Sequence, residues 1–269
     1  MHQVSILRER CMGDGLCVRQ CFRNCLKLDD EKKAVWIQNP DSPCVGCGHC
    51  TAVCPAEAAM LDGVAPEKLS SSDFHIPETE LEKFLSSRRS VRMYRKKSIP
   101  RPLLQKALHM ACHAPTGANR REVGCIVVDT PDALRELRLL LADWMKNYPR
   151  WHEHFRRFQG GEDTIFRGAS ALIALTGPSV NRDDPDDSAL LAPQDAAGAA
   201  SYLELALHGL GLASCWCGLL IRGAGSNAEI RSFLRLPEGQ SIYAALLAGY
   251  PAVHFPRIPL RECSSVQWI

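Results

Sequence analysis

"CVGCGHCTAVCP", residues 44–55, sets Cys44, Cys47, Cys50 and Cys54 in the run C-x2-C-x2-C-x3-C and ends on Pro55. The two-residue gaps let one tight loop aim three thiolates at a single centre. Gly46 and Gly48 let its backbone turn with N–H groups inward. The last cysteine, ahead of a proline, points the other way, toward a second centre. A zinc ribbon would separate its two C-x2-C pairs by a longer loop, so the spacing favours an iron–sulfur cubane.

Upstream, "CMGDGLCVRQCF", residues 11–22, nearly repeats this run, with Cys11, Asp14, Cys17 and Cys21 in the same register and Phe22 in place of proline. The pair of runs resembles a two-cluster bacterial ferredoxin with an altered first motif. That resemblance implies crossed ligation: Cys44, Cys47, Cys50 and Cys21 on one 4Fe-4S cluster, and Cys11, Cys17 and Cys54 on the other, whose last iron faces Asp14. Four readings of that corner stay open. Asp14 ligates through oxygen, or the corner is empty and the cluster is 3Fe-4S, or Cys25 substitutes, or the first cluster is lost. Oxygen suits iron in a sulfide cluster less well than thiolate and makes that iron labile. Between the runs, "LKLDDEKKAVWIQ", residues 26–38, alternates apolar and charged residues around a turn, as a hairpin does. The expected organisation is an iron–sulfur module over 1–63 and, from the Pro, Ser and acidic residues of "DGVAPEKLSSSDFHIPETE", a linker over 64–77.

The whole chain supports that division. With 269 residues, 46% of them hydrophobic, it can bury one good-sized core beside a small module. A net charge of +2 with acids and bases intermixed offers neither a polybasic stripe for nucleic acid nor an anionic tail, so a small-molecule partner is expected. Eight of the thirteen cysteines precede residue 55, a density at one end that suits a metal module better than a disulfide scaffold. "MHQVSILRER" lacks a basic then apolar leader, and no window approaches about eighteen uninterrupted apolar residues. Neither a signal peptide nor a membrane span is expected, and a cytoplasmic location is.

From residue 78 to 269 the pattern changes to helices with a few apolar strands. A helix carrying Leu81, Phe84 and Leu85 on one face breaks into an arginine-dense segment. Pro102 lies in the first turn of a second helix, stopped by Pro115 and Gly117. "VGCIVVD", "SALIALTG" and "SIYAALLAGY" read as buried strands. "QDAAGAASYLELALHGLGLASCW" reads as a long helix ending at Gly209 or Gly211, and "NAEIRSFLRL" as a further helix. The mixture predicts α+β around one sheet.

"RRSVRMY" (88–94), "APTGANRRE" (114–122), "GLGLASCWCG" (209–218) and "AGYPAVHFPRIPLRE" (248–262) resemble, in order and spacing, the FMN-dependent nitroreductase family over roughly residues 80–263. With the cysteine runs, the chain resembles the ferredoxin-fused branch. The resemblance implies a bacterial-ferredoxin-like domain followed by a nitroreductase-like fold, a central mostly antiparallel sheet wrapped by helices. It also implies a homodimer with two FMN sites at the subunit interface. The implied chemistry is reduction of nitroaromatic, quinone or other planar acceptors, fed through the clusters by a redox partner protein or directly by NAD(P)H.

FMN carries a phosphate dianion and a ring that becomes anionic on reduction, so its site needs fixed cations at both ends. By resemblance, Arg88 and Ser90 meet the phosphate and ribityl end, Arg89 lies alongside, and Arg92 approaches the pyrimidine edge. Pro115, with Gly117, makes a turn that lays amides near the cofactor, while Thr116 and Asn119 offer hydrogen bonds. Thr116 stands where the family usually has serine, keeping the hydroxyl. The amides around Cys215 and Trp216 face the flavin N5 and O4 region, with the indole behind them, and Arg257 and Arg261 close over the phosphate. Taken alone, arginines at a helix end suit a solvated face equally well.

"GLGLAS" follows a helix rather than a strand, so a dinucleotide-binding turn is not expected there. Trp144, Tyr148, Trp151, Phe155 and Phe158 suggest a lid over the flavin or packing at a dimer interface. His152 and His154 sit on different sides of a helix and do not share a metal. By resemblance no catalytic side chain is required, since flavin N5 carries the hydride. Other flavin chemistry on the same fold (dehalogenation, flavin fragmentation, dehydrogenation) and a non-catalytic electron-transfer role remain the alternatives.

Overall fold

The computed structural model describes residues 2–181, 183–184, 187–262 and 265–269. The chain forms two units: Met1–His75 with Ala118–Arg120, and Ile76–Gly117 with Arg121–Ile269.

The smaller unit contains β1 (Val4–Ile6), α1 (Leu16–Gln20), β2 (Leu26–Leu28), β3 (Ala34–Trp36), α2 (His49–Ala52) and β4 (Ala59–Leu61). β1 pairs antiparallel with β4, Val4 opposite Leu61, and β2 with β3, Leu26 opposite Trp36. The expected hairpin is therefore present. Its turn is closed by Asp29, whose Oδ1 accepts from the amides of Glu31 at 3.1 Å and Lys33 at 2.8 Å. The apolar core is slight, with Val4, Leu26, Ala34 and Ala58 packed among Cys11, Cys17 and Cys50. A core this small leaves much of the unit's stability to whatever the cysteines hold.

The larger unit runs α3 (Glu78–Ser87), α4 (Arg101–Ala111), β5 (Gly124–Val128), α5 (Pro131–Met145), α6 (His152–Gln159), β6 (Ala171–Pro178), α7 (Ala192–Gly209), β7 (Ala213–Trp216), α8 (Gly218–Ser226), α9 (Ala228–Phe233) and β8 (Gln240–Gly249). The strands form one antiparallel sheet in the order β5-β6-β8-β7. Alternation along β6 divides the core between its two faces. Leu172 and Ala174 join Leu137, Leu141, Trp144, Leu220 and Ile230 from α5, α8 and α9. Ala171, Ile173 and Leu175 join Leu104, Ala107, Ala196, Ala200, Leu203 and Leu207 from α4 and α7. Helices on both faces of an antiparallel sheet confirm the α+β expectation.

Local chemistry sets the element ends. Thr130 Oγ1 caps α5 by accepting from Ala133 N at 3.3 Å, and Asn227 caps α9 through Ile230 N at 2.9 Å. α8 approaches α5 so closely that a Cβ on Gly223 would lie 2.7 Å from Leu141 Cδ2. The long helix ends at Gly209, as expected, but the following residues 213–216 form β7, a strand the sequence did not announce. α5 and α8 also went unread. Trp144 is a core residue whose Nε1 donates to Ser226 Oγ at 2.9 Å, and Trp151, Phe155 and Phe158 lie partly buried against that core. Trp144 thus serves the core, while Tyr148 stays exposed. Among the described residues no helix is long and apolar enough to cross a membrane.

Candidate functional site

In the smaller unit, α1 and α2 are each entered through a left-handed glycine, Gly15 at φ 69° and Gly48 at φ 74°. The repeat seen in the sequence is thus a repeat in the backbone. One small cavity is lined by Cys11, Asp14, Cys17 and Cys54, among others, the combination implied by crossed ligation. Burial, then the neighbouring Cys54 and Cys11, push the Cys17 thiol up. Around Cys50 the neighbours are Cys47, Cys44 and Cys21, and burial with these thiols raises it to about 11. Packed thiols resist ionising together, and a cationic cluster core is what would relieve them.

Backbone amides point at the sulfurs of both groups. Ala34 N lies 3.5 Å from Cys11 Sγ and Ala58 N 3.3 Å from Cys54 Sγ. Cys25 N lies 3.3 Å from Cys21 Sγ and Gly46 N 3.4 Å from Cys44 Sγ. Such N–H···S bonds stabilise anionic sulfur, so the residues present fit a cluster at each group. Among the described residues no three His, Cys, Asp or Glu side chains converge as they would around a single ion. A cubane spaces its ligands more widely.

Asp14 lines the first cavity, yet its Oδ1 accepts from Leu16 N, the first residue of α1, at 2.9 Å. One carboxylate oxygen is thereby occupied by the helix. Cys25 is placed elsewhere: fully buried, it lies against Cys21 and Cys44, with Sγ 3.5 Å from the Ser42 carbonyl. It belongs to the second group, which removes it as a substitute at the first.

In the larger unit a pocket of about 220 Å³ is lined by Arg88, Arg89, Glu204, His208, Ser214 and His254, among others. That is smaller than the ~300–1,000 Å³ usual for small-molecule sites. Arg88 ends α3, and the following segment pairs with β7: Ser90 lies opposite Ser214, and Val91 N donates to Ser214 O at 2.9 Å. The unread strand is what brings "RRSVR" beside "ASCW". Tyr94 then pairs with Pro251, carrying the segment along the chain after β8.

At the centre lies Glu204, 9% exposed, on the apolar stripe of α7. Its Oε1 accepts from Arg88 Nη1 at 3.2 Å and Ser214 Oγ at 3.2 Å, and its Oε2 from Trp216 Nε1 at 3.0 Å. Beside it His208 Nε2 meets Ser87 Oγ at 3.0 Å, while burial, then the Arg88 charge, hold the imidazole below the usual histidine range. Sequence reading missed Glu204, His208 and His254. The signal available was a carboxylate four residues before a histidine on a stripe of Ala196, Ala200, Leu203 and Leu207.

The other expected residues are not among those lining this pocket. Thr116 Oγ1 accepts from Arg121 N at 3.1 Å. Ala118 and Asn119 hold left-handed φ of 49° and 56°, strain that surrounding contacts must sustain. Asn119, in the smaller unit, donates to Val45 O at 2.8 Å. Arg92 is exposed, and Cys215 is buried, its thiol pushed up by burial. Arg257 and Arg261 lie on the exposed stretch after β8.

The donor set of the pocket suits an anionic ligand: Arg88 and Arg89 bring fixed positive charge, and Glu204 is the sole carboxylate among the lining residues. Residues 85–250 match the model of the nitroreductase family, and residues 9–68 that of the 4Fe-4S dicluster domain. An FMN-bound nitroreductase of Bacteroides fragilis superposes with a TM-score of 0.58 at 23% identity, covering 71% of this chain and 98% of that one. Another, from Desulfitobacterium hafniense, gives 0.59 at 22% identity over 72% and 100%. The "Ferredoxin 7Fe" of Hydrogenibacillus schlegelii is 32% identical over 68 residues, 24% of this chain and 82% of that protein.

Proposed function

The chain belongs to the nitroreductase family and carries an N-terminal 4Fe-4S dicluster domain, and on that premise we propose that it is an FMN-dependent oxidoreductase reducing nitroaromatic, quinone or related planar acceptors. The carrying observation is the pocket in which Arg88, Arg89 and Ser214 converge, with Trp216 tied to its Glu204. FMN there would take up electrons singly or in pairs and deliver a hydride from N5. Arg88 and Arg89, with Ser90 held against β7, bind the phosphate and ribityl end. A guanidinium has five donors, and the Glu204 bond uses one of Arg88's, so further N–H groups remain for phosphate oxygens. Cys215 and Trp216, on the strand, present backbone amides at fixed height beside the ring. Arg92, Pro115, Thr116, Asn119, Arg257 and Arg261 belong to the same proposed set.

Residues 1–63 form the proposed electron module, joined through 64–77 to the flavin domain of 78–269. Cys44, Cys47, Cys50 and Cys21 hold one 4Fe-4S cluster, and Cys11, Cys17 and Cys54 with Asp14 hold the other. Bound clusters would supply one-electron transfer from a redox partner protein to the flavin, whereas NAD(P)H, a hydride donor, would reduce the flavin directly. The functional unit is a homodimer. Supporting the flavin assignment is the excess of fixed positive charge in the pocket, where two arginines face one carboxylate.

The test is cofactor analysis of the purified, cluster-loaded chain together with Arg88→Gln and Arg89→Gln. One FMN per chain, weakened at least about tenfold by either loss of a charged phosphate contact, is expected. Tight binding untouched by both substitutions would overturn the placement of the phosphate.

A further inference from the structure

Glu204 is an acid on the buried stripe of α7, where its neighbours are alanine and leucine. A carboxylate in such a place costs several kcal/mol of desolvation unless it is paired and hydrogen-bonded. Its three donors come from two elements: Arg88 from the end of α3, and Ser214 and Trp216 from within and at the end of β7. Ser214 is itself 3% exposed, and it also accepts the Val91 amide that docks the arginine segment. Trp216, by contrast, leaves 41% of its surface exposed although its indole N–H is held inside. The ring is thereby hung from the carboxylate with its body outward.

We propose that Glu204 is a positioning residue that fixes Arg88 for the phosphate end of the bound nucleotide and Trp216 for the ring end. This inference rests on the assignment of the pocket to FMN. Without the carboxylate, Arg88 would be a cation only 22% exposed with no fixed direction, and phosphate would have to order it on binding. With it, one N–H is anchored and the guanidinium plane is set, so the remaining donors are pre-arranged. The carboxylate takes no part in hydride or electron transfer and touches no reacting atom.

The variants separate the two ends. Glu204→Gln keeps one oxygen for the indole and turns its amide N–H toward the Ser214 hydroxyl, but removes the charge that holds Arg88. Glu204→Leu removes all three bonds. In the cluster-loaded full chain, Glu204→Gln should weaken FMN by about tenfold, the size of one charge-assisted hydrogen bond, while riboflavin, which has no phosphate, stays within about twofold of wild type. In an Arg88→Gln background, adding Glu204→Gln should cost no further FMN affinity, since its effect runs through Arg88. Equal losses for FMN and riboflavin, additive effects in the double variant, or tighter FMN binding would each overturn the proposal.

The tie to Trp216 has its own readout. In protein labelled with 5-fluorotryptophan, with the Trp216 resonance assigned through Trp216→Phe, Glu204→Leu should move that resonance and Glu204→Gln should leave it nearly in place. An unmoved resonance in Glu204→Leu overturns the proposal whether or not flavin binds. Should the wild-type chain take up neither FMN nor riboflavin, the flavin assignment fails, and the phosphate part of this proposal fails with it. The resonance then decides the tie alone.

Discussion

The amide of Gly117 donates to both carboxylate oxygens of Asp195, at 3.0 and 3.2 Å, and so pins the turn after α4 to the first turn of α7. Asp195→Ala leaves that half-buried N–H without its acceptor and should cost about 1–3 kcal/mol. Gly117→Ala would bring a Cβ within 2.5 Å of Leu191 Cδ1. Leu191 is nearly half exposed and can turn aside, so this change should cost about 1 kcal/mol or less. Urea unfolding of the two variants should rank them in that order. The reverse order would mean that steric fit, not the carboxylate, holds the turn.

Tyr94 and Gly249 meet with no slack. A Cβ on Gly249 would lie 2.6 Å from Tyr94 Cδ1 and 3.3 Å from its Cβ, and the ring, 8% exposed, has no room to withdraw. Gly249→Ala should therefore cost about 1–3 kcal/mol. Tyr94→Phe should behave oppositely. The phenol oxygen is buried without a hydrogen-bond partner among the described residues, so its removal should leave stability unchanged or raise it by about 1 kcal/mol. A clear loss of thermal stability in Tyr94→Phe would show that the hydroxyl is satisfied by water or ligand.

His208 makes stability depend on pH in a fixed direction. Burial, then Arg88, lower its folded-state pKa, whereas the unfolded chain protonates near about 6.5. The stability this group contributes is present above the unfolded value and is lost as pH falls from there toward the folded value. Ser87, Arg88 and the Phe84 ring face the imidazole. Between pH 7.5 and 5.5 the wild type should lose more unfolding free energy than His208→Gln, by urea titration under otherwise equal conditions. Parallel losses in the two chains would remove His208 from the account.

Asp14 should mark the labile iron. In Asp14→Cys the first group becomes a full thiolate set, and chelator-accessible iron should fall relative to wild type. Asp14→Ala should both lose that iron and cost about 1 kcal/mol or less from the missing hydrogen bond to Leu16 N. Iron counts and paramagnetic spectra that are identical across wild type, Asp14→Cys and Asp14→Ala would contradict a ligand role.

Much of this was legible in the sequence because its signals are local. Cysteine spacing fixes a loop, and "LKLDDEKKAVWIQ" and "SIYAALLAGY" carry their own periodicities, so the hairpin and β8 could be read directly. β7 could not be read, because four residues after a long helix carry no period of their own and pair only through β8 and the arginine segment. Glu204 was missed for a related reason: its partners lie 116, 10 and 12 residues away, and only the fold makes them neighbours. Cys25 shows the converse, since its closeness in sequence to the first run concealed its place beside the second.

The most direct test of the central claim is to reduce the holoprotein fully under anaerobic conditions, add excess nitroaromatic acceptor, and follow cluster and flavin absorbance separately. Flavin-free protein serves as the control. The account predicts that clusters and flavin reoxidise together in the holoprotein, while the clusters of the flavin-free protein stay reduced. Flavin that reoxidises while the clusters remain reduced would contradict an electron path from the iron–sulfur module to the acceptor.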